Sequence, residues 1–251
     1  VTVLAPRTGN TTGSSGWAQG GLAAALASGD SPRAHAADTI EAGGGLNSVE
    51  AVALVTQKAP QMIKNLVQHG VAFDRDHDGN LHMGLEGAHS QPRIVHAEGD
   101  RTGPKIMAAL QKKVAQAEHI NMITNMRAKS LLQDQHGRIA GVAAIDDLGQ
   151  EQFLNAQVTI LASGGLGHLY GHTTNPTTIR GDMLGSAIRA GAQLSDLEFV
   201  QFHPTAMAVT ASPLPLVSEA LRGAGARLVL SNGGFLFPGL GDLAARDEVA
   251  R

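Results

Sequence analysis

Apolar and polar positions along this chain alternate in blocks that predict an α/β protein. Val1 to Leu4 is a short apolar run and predicts a buried parallel strand. A polar loop rich in glycine, serine and threonine follows over residues 7 to 21, and Leu22 to Ala27 then predicts a short apolar helix. Residues 30 to 70 carry a helical pattern. Ser31-Pro32 predicts an N-cap with proline in the first turn, and Gly43-Gly44-Gly45 a stop. Ser48 caps a second helix, with Ala51 in place of the capping-box acid. Its apolar face runs through Val52, Leu54, Val55, Met62, Ile63, Leu66 and Val67, is interrupted at Pro60, and closes at Gly70.

Residues 71 to 103 are charged and rich in histidine. Asp74, Asp76, Asp78 and Gly79 resemble the start of a calcium loop, but the twelfth position is Leu85 rather than a glutamate, so a tight hairpin turn is the better reading. Glu86, His89, Arg93 and His96 fit a solvated loop; zinc held by His89 and His96 with Glu86 fits less well by spacing. Pro92 to His96 alternates as a strand, which sends Arg93 and Ile94 to opposite faces. Thr102 to Ala117 predicts a helix. Asn121–Leu132, Arg138–Asp146 and Gln152–Leu161 predict three strands of a β-meander. The third ends in the apolar run Val158 to Ala162 and then Ser163-Gly164-Gly165-Leu166-Gly167, a place for backbone to approach a dinucleotide. A helix over Thr177 to Ala190 has Asp182 near its front, either as a cap or as an acceptor for a ribose hydroxyl. Leu194 to Phe202 predicts a strand. A strand at the first residue and a final helix without a stop signal predict an excerpt of a longer protein.

Composition narrows the function classes. The 251 residues are 43% hydrophobic and 16% charged, enough for one large domain or a domain with a smaller attachment. The formal net charge of −3 gives no electrostatic case for nucleic acid or an anionic membrane. With no cysteine, disulfides, thiolate metal sites and cysteine catalysis are excluded, which suits a reducing compartment such as the cytoplasm. No apolar run reaches the ~18 residues of a membrane span.

Residues 197 to 223 concentrate the chemistry. An apolar run ends at Gln201-Phe202-His203-Pro204, and Ser218, Glu219 and Arg222 follow a proline-marked connection at the start of a helix. An imidazole, a hydroxyl, a carboxylate and a guanidinium together can hold a small anion and move a proton. A capped helix with one ordinary ion pair is the plainer reading of the same spacing.

Six stretches in order match one family: WAQGG with LAAAL, LASGG, TTNP followed by GD, LEFVQFHPTA, SEALRGAGA and ARDEVAR. They resemble the flavoprotein subunits of the succinate dehydrogenase and fumarate reductase superfamily, and within it the L-aspartate oxidases. The resemblance implies an FAD-binding Rossmann-like domain with a β-meander over residues 1 to 200. A smaller α+β capping domain would begin at residue 201 and run, incomplete, to 251. It also places the family's first strand and glycine-rich turn before Val1 and further substrate ligands beyond Arg251.

Two positions choose the branch. Where succinate dehydrogenases and membrane fumarate reductases carry a flavin-linking histidine, four residues before Ala18, this chain has Ser14, which implies non-covalent FAD. The segment Leu85-Glu86-Gly87-Ala88-His89-Ser90 resembles one whose glutamate faces the substrate amino group in aspartate oxidases, and Glu86 is kept; a carboxylate pairs with an α-ammonium, and succinate has none. The implied reaction is FAD-dependent oxidation of L-aspartate to iminoaspartate, with electrons passed to oxygen as hydrogen peroxide or to fumarate. It would be the first step of quinolinate and NAD synthesis, with a functional link to quinolinate synthase. The alternatives are a soluble fumarate reductase or succinate-oxidising flavoprotein, and a non-catalytic fragment of such an enzyme.

The resemblance also implies roles. His203, Ser218, Glu86 and Gln201 would bind substrate. Arg246, Glu219 and Arg222 match a catalytic proton-relay trio; a free arginine pKa above ~12 leaves a purely electrostatic role for Arg246 equally open. Ser14, Ser15, Trp17, Ala18, Gln19, Gly20 and Gly21 would meet the phosphate and ring of FAD, Ala128 the adenine, and Gly164, Gly165 and Asp182 the rest of the cofactor. No metal is implied. The departures from the family pattern are Leu85 for arginine, Ala88 for glycine, Ser218 for threonine, Ala224 for glutamate, and Arg7 one residue out of place.

Overall fold

The computed structural model describes residues 1–5, 13–201, 203, 205–218, 220–237, 239, 241 and 244. Its elements, in chain order, begin with β1 (Thr2–Leu4), α1 (Ser14–Trp17), β2 (Leu22–Ala23), α2 (Pro32–Ala42) and α3 (Val49–Gln68). Next come β3 (Met83–Gly84), β4 (Ile94–Val95), α4 (Thr102–Ala115), β5 (Asn121–Ile123) and β6 (Met126–Gln133). β7 (Ile139–Asp146), β8 (Glu151–Asn155), α5 (Asp182–Arg189) and α6 (Ala220–Gly223) complete the order. The chain divides into two compact units, one of Val1–Trp17, Gln111–Val200 and Ala208–Pro215, the other of Ala18–Leu110, Gln201–Met207 and Leu216–Arg251.

In the first unit, β1 pairs in parallel with β5, Thr2 opposite Asn121 and Leu4 opposite Ile123. The meander is present as β6-β7-β8, antiparallel throughout. The single strand expected over Asn121–Leu132 is two, because Asn125 takes a left-handed φ of 66° between β5 and β6 and redirects the chain. Leu131 N–H of β6 donates to Ser186 Oγ at 3.0 Å, which ties α5 to the meander through a buried hydroxyl.

The expected third strand is shorter than its apolar run. β8 ends at Asn155, opposite Gly141, and no described strand pairs with Val158 to Leu161; Val158 is 77% and Ile160 85% exposed. An apolar run without a hydrogen-bonding partner does not make a strand, whatever its propensity. Leu194 to Phe202 departs likewise: Asp196 has a φ of 59° and its carbonyl accepts from Phe199 N–H, a turn that breaks the extended chain, while Phe202 lies outside the described residues. The helix expected over Thr177–Ala190 forms only as α5, starting after Gly181, whose φ is 72°.

In the second unit, β2, β4 and β3 form an antiparallel sheet with β4 central. Leu22–Ala23 is therefore strand and not helix: Leu22 pairs with Val95, Ala23 with Ile94, and Ala24 N–H donates to Arg93 O. An alanine-rich run is helical by propensity, but burial of Ala24 (0% exposed) against β4 decides here. Ser31 and Ser48 cap α2 and α3 through Ala34 N–H and Ala51 N–H. α3 runs unbroken through Pro60; Ile63 is buried in the core with Val71, Phe73, Val95 and Ala97, and Leu66 and Val67 pack on it. That burial offsets the one backbone hydrogen bond the proline removes. Asp76 Oδ1 accepts from Asp78 N–H and Asn80 N–H and closes a hairpin whose arms meet at Arg75 and Leu81, so this stretch is a turn.

Candidate functional site

The first unit gathers the glycine-rich segment after the meander and the segment that follows it. Gly181 N–H donates to Gly165 O at 3.1 Å, and His168 N–H to Ile179 O at 2.9 Å, so residues 165–168 lie along 179–181. A Cβ on Gly167 would come within 2.6 Å of Asn175 Cγ. Asn175 Oδ1 accepts from Ser14 Oγ at 3.5 Å, its carbonyl faces His168 Nδ1 at 3.1 Å, and its backbone N–H donates to Thr173 Oγ1. Ser14, Gly164, Gly165 and Asp182 therefore converge, with Asn175 as a hub that sequence reasoning gave no role. Its signal was the side-chain amide of the TTNP stretch.

Ser14 and Ser15 lie in α1, exposed, and Trp17 is 47% exposed. Asp182 is exposed in the first turn of α5, whose N-cap is Gly181. Ala128 is half-buried on β6 opposite Ala144, beside a bulge between Ala128 and Ser130.

In the second unit, Ala18 to Gly21 lead into β2. Ala18 O accepts from Gly103 N–H at 2.9 Å. A Cβ on Gly21 would lie 2.5 Å from Val95 O, so this segment runs against β4 with no room for a side chain. Gln19 Oε1 is buried and has no hydrogen-bond partner among the described residues. An orphaned acceptor is costly unless a ligand donates to it.

Of the polar residues of 197–223, Gln201, His203, Ser218 and Arg222 lie in the same unit. Val217 N–H donates to Thr205 O and Thr205 Oγ1 to Val217 O, both at 2.9 Å, and Ala206 bridges Leu216. This two-strand clasp brings His203 and Ser218, fifteen positions apart, onto adjacent chain segments. Thr205 N–H donates to His203 Nδ1 at 3.2 Å, so the neutral ring carries its proton on Nε2. α6 follows, and Arg222 Nη2 donates to Ala244 O at 2.7 Å. Gly223 closes α6 so tightly on the loop that a Cβ there would come 2.6 Å from Leu85 O, next to Glu86. Glu86 Oε1 lies 3.0 Å from His96 Nε2, the two side chains 21% and 12% exposed. Gln201 is exposed in this unit. Glu219, Arg246 and Arg7 lie outside the described residues.

Below Glu86 is a charged cluster that sequence spacing presented as a solvated loop. Arg93 is fully buried, donates to both carboxylate oxygens of Asp30, and pairs with Asp38. Ser90 N–H and Oγ donate to Asp38 Oδ2, each at 2.8 Å. Burial pushes the Asp38 carboxyl up, but the Ser90 bonds and Arg93 outweigh it and hold the group below its ordinary value. His35 and His89, with rings 5.8 Å apart, are both lowered, first by burial and then by the Arg93 charge. Alternating polarity could flag Arg93, but its two acids come from far along the chain and could not be paired by spacing.

The residues present fit FAD. Within the first unit, the hydroxyls of Ser14 and Ser15 suit phosphate and the glycines at 164–167 allow close approach; within the second, Gln19 offers a buried, unsatisfied acceptor.

The model of the FAD binding domain family matches residues 1–251. The L-aspartate oxidase of Caulobacter vibrioides is 47% identical over 241 residues, covering 95% of this chain and 47% of the relative. That of Mesorhizobium japonicum is 46% identical over 253 residues, covering 99% and 49%. Among solved structures, an E. coli quinol fumarate reductase superposes with a TM-score of 0.89 at 27% identity, covering 99% of this chain and 44% of that one. The chain thus spans about half the length of the curated relatives it matches.

Proposed function

The chain belongs to the FAD-binding domain family, within the superfamily that unites L-aspartate oxidases with succinate dehydrogenase and fumarate reductase flavoproteins, and from that premise we propose that the protein oxidises L-aspartate to iminoaspartate. The observation that carries the reading is the close approach of Gly223 to Leu85 O, because it sets the helix bearing Arg222 against the loop bearing Glu86. In this reading α6, with Arg222, would attract a substrate carboxylate beside the Glu86 carboxylate. An amino dicarboxylate offers both complements, an acid group and an ammonium; succinate offers only the first.

FAD, bound without a covalent link beside Ser14, would supply the two-electron acceptor for the hydride that leaves C2 of aspartate. Ser14, Ser15, Trp17, Ala18, Gln19, Gly20 and Gly21 would hold its phosphates and ring, Gly164, Gly165 and Asp182 its flank, and Ala128 its adenine. The protein's own groups orient and polarise. His203, protonated on Nε2, donates to a substrate carboxylate, and the Ser218 hydroxyl donates beside it. Gln201 lines the same entry. Glu86 accepts from the α-ammonium and so selects aspartate over succinate. Glu219, Arg222 and Arg246 carry or steady the proton that leaves as the imine forms. We read residue 201 as the entry to a capping domain over this chemistry.

Electrons pass on to oxygen or fumarate, and the product feeds quinolinate and NAD synthesis, next to quinolinate synthase. Among the described residues no helix is long and apolar enough to cross a membrane, and the reading places the protein in the cytoplasm. A soluble fumarate reductase is the second reading, favoured by the fold likeness to a quinol fumarate reductase, which shares the reaction class. Anaerobic mixing of the FAD-loaded, full-length protein with each dicarboxylate tests the choice. Aspartate should bleach the flavin absorbance and succinate should not; the reverse pattern establishes the second reading.

A further inference from the structure

We propose that Asn175 is a positioning residue for the cofactor: its side-chain amide sets the spacing between Ser14 of α1 and the glycine stretch 164–168, and so shapes in advance the part of the flavin site that lies in the first unit. The inference rests on the reading that Ser14, Gly164 and Gly165 meet FAD, and deepens it.

The chain returns alongside the glycine stretch after Asn175. Gly181 N–H donates to Gly165 O and His168 N–H to Ile179 O, so residues 165–168 and 179–181 form a short ladder. Asn175 sits inside the loop that joins the two rails, and its backbone is held on both sides. Its N–H donates to Thr173 Oγ1 at 3.0 Å, and its carbonyl accepts from His168 Nδ1 at 3.1 Å. Thr173 is anchored in turn, because its own carbonyl accepts from Leu214 N–H at 2.8 Å. Pro176, buried, restricts the backbone of Asn175 further.

With the backbone fixed, the amide has a defined place. It lies against Gly167, where an added Cβ would come within 2.6 Å of Asn175 Cγ. Gly167 does not have a left-handed φ, so the Asn175 amide, and not the backbone conformation, is what demands glycine there. On its other side Asn175 Oδ1 accepts from Ser14 Oγ at 3.5 Å. That contact is long for a hydrogen bond between oxygens, so Asn175 acts by its bulk and placement more than by bond strength. One amide therefore touches the glycine stretch and the serine at once. A site whose walls already stand at the right separation loses less freedom on taking up a ligand than one whose walls must be drawn into place.

The test uses the full-length protein, stripped of FAD and titrated with it. It reads the FAD dissociation constant, the visible circular dichroism of the bound flavin and the thermal midpoint of the FAD-free protein. Asn175→Ala should weaken FAD about tenfold and change the flavin dichroism, while the FAD-free midpoint falls by less than about 3 °C. Gly167→Ala should weaken FAD similarly, because its methyl displaces the amide. The combined variant should bind FAD no more weakly than Asn175→Ala alone, since the atoms that the new Cβ would strike are then gone. If Gly167→Ala does not fold, the combined variant should fold and bind FAD as Asn175→Ala does. Losses that multiply in the combined variant, or a combined variant that does not fold, overturn the proposal. A fall in the FAD-free midpoint of more than about 10 °C in Asn175→Ala would make Asn175 a packing residue and overturn it too.

Gly165→Val separates the inference from the reading beneath it. A Cβ on Gly165 meets no atom of the described residues within 4 Å, so a side chain there obstructs FAD only if the cofactor comes to this stretch. If Gly165→Val weakens FAD and Asn175→Ala leaves it within about twofold of the parent, the flavin reading stands and the positioning role is wrong. If neither changes FAD affinity, the reading of this stretch as a flavin site falls, and the inference with it.

Discussion

Arg93 and Asp30 form a two-pronged ion pair in the interior of the second unit. Nε donates to Oδ2 and Nη2 to Oδ1, each at 2.9 Å, and neither side chain is more than 1% exposed. Asp38 takes the remaining side of the guanidinium and Ser90, exposed at the outer end, closes Asp38, so a chain of polar groups runs from α2 to the loop that follows Glu86.

Such a cluster contributes little net stability when complete but is costly to break, because a lone charge is then left without water or partner. Arg93→Ala should lower the unfolding free energy of the full-length, FAD-loaded protein by about 3–5 kcal/mol. Arg93→Lys should recover only part of this, since an ammonium cannot donate through a planar fork. Urea titration measures both, and a loss below about 1 kcal/mol in Arg93→Ala would mean the pair is dispensable.

Gly223→Ala tests the contact between α6 and the Glu86 loop. The added Cβ would meet a backbone carbonyl, Leu85 O, at 2.6 Å, and backbone cannot swing aside as a long side chain can. The helix or the loop must move by several tenths of an ångström. Aspartate turnover should fall at least about tenfold while flavin content stays at the parent level, because misplacement of this kind acts on orientation. Unchanged turnover would remove the geometric support for the proposed substrate site.

Acid should weaken the fold through His35 and His89. Both are lowered from an ordinary value of 6.5 in the folded state. The unfolded chain therefore takes up their protons first, so the stabilisation is full above about pH 6.5 and is lost as pH falls below it. Asp38, lowered from 3.8, adds a second loss at still lower pH. Urea midpoints at a series of pH values should decline from near neutrality downward, and His35→Phe should flatten the first part of that slope. A midpoint constant between pH 7 and pH 5 would contradict the burial assigned to these rings.

In the proposed reading Ser14 takes the place of a flavin-linking histidine, and a serine hydroxyl cannot form that bond. Acid or heat precipitation of the FAD-loaded, full-length protein should therefore leave all the yellow colour in the supernatant. Flavin that stays with the pellet and fluoresces on a denaturing gel would show a covalent link elsewhere.

Much of this protein was legible in local chemistry. Ser31-Pro32 and Ser48 marked helix starts because an N-cap needs only a hydroxyl three residues from an amide. The meander showed in its turn residues, and the six ordered motifs showed the flavoprotein family. Expectations failed where a distant partner decides. Leu22–Ala23 became a strand because β4 was beside it; Val158 to Leu161 did not, because no described strand was. The clasp of Thr205 on Val217, the hub at Asn175 and the approach of Gly223 to Leu85 join residues from 12 to 161 positions apart. By itself the sequence determined the capped helices, the meander, the family and the list of candidate groups, since these follow from short-range pattern. Only the tertiary structure decided that Arg93 is buried, that Glu86 meets His96 and that the segment of His203 is clasped to the segment of Ser218. Hydrogen bonds and ion pairs reach about 3 Å in space, and sequence separation does not say which residues will come that close.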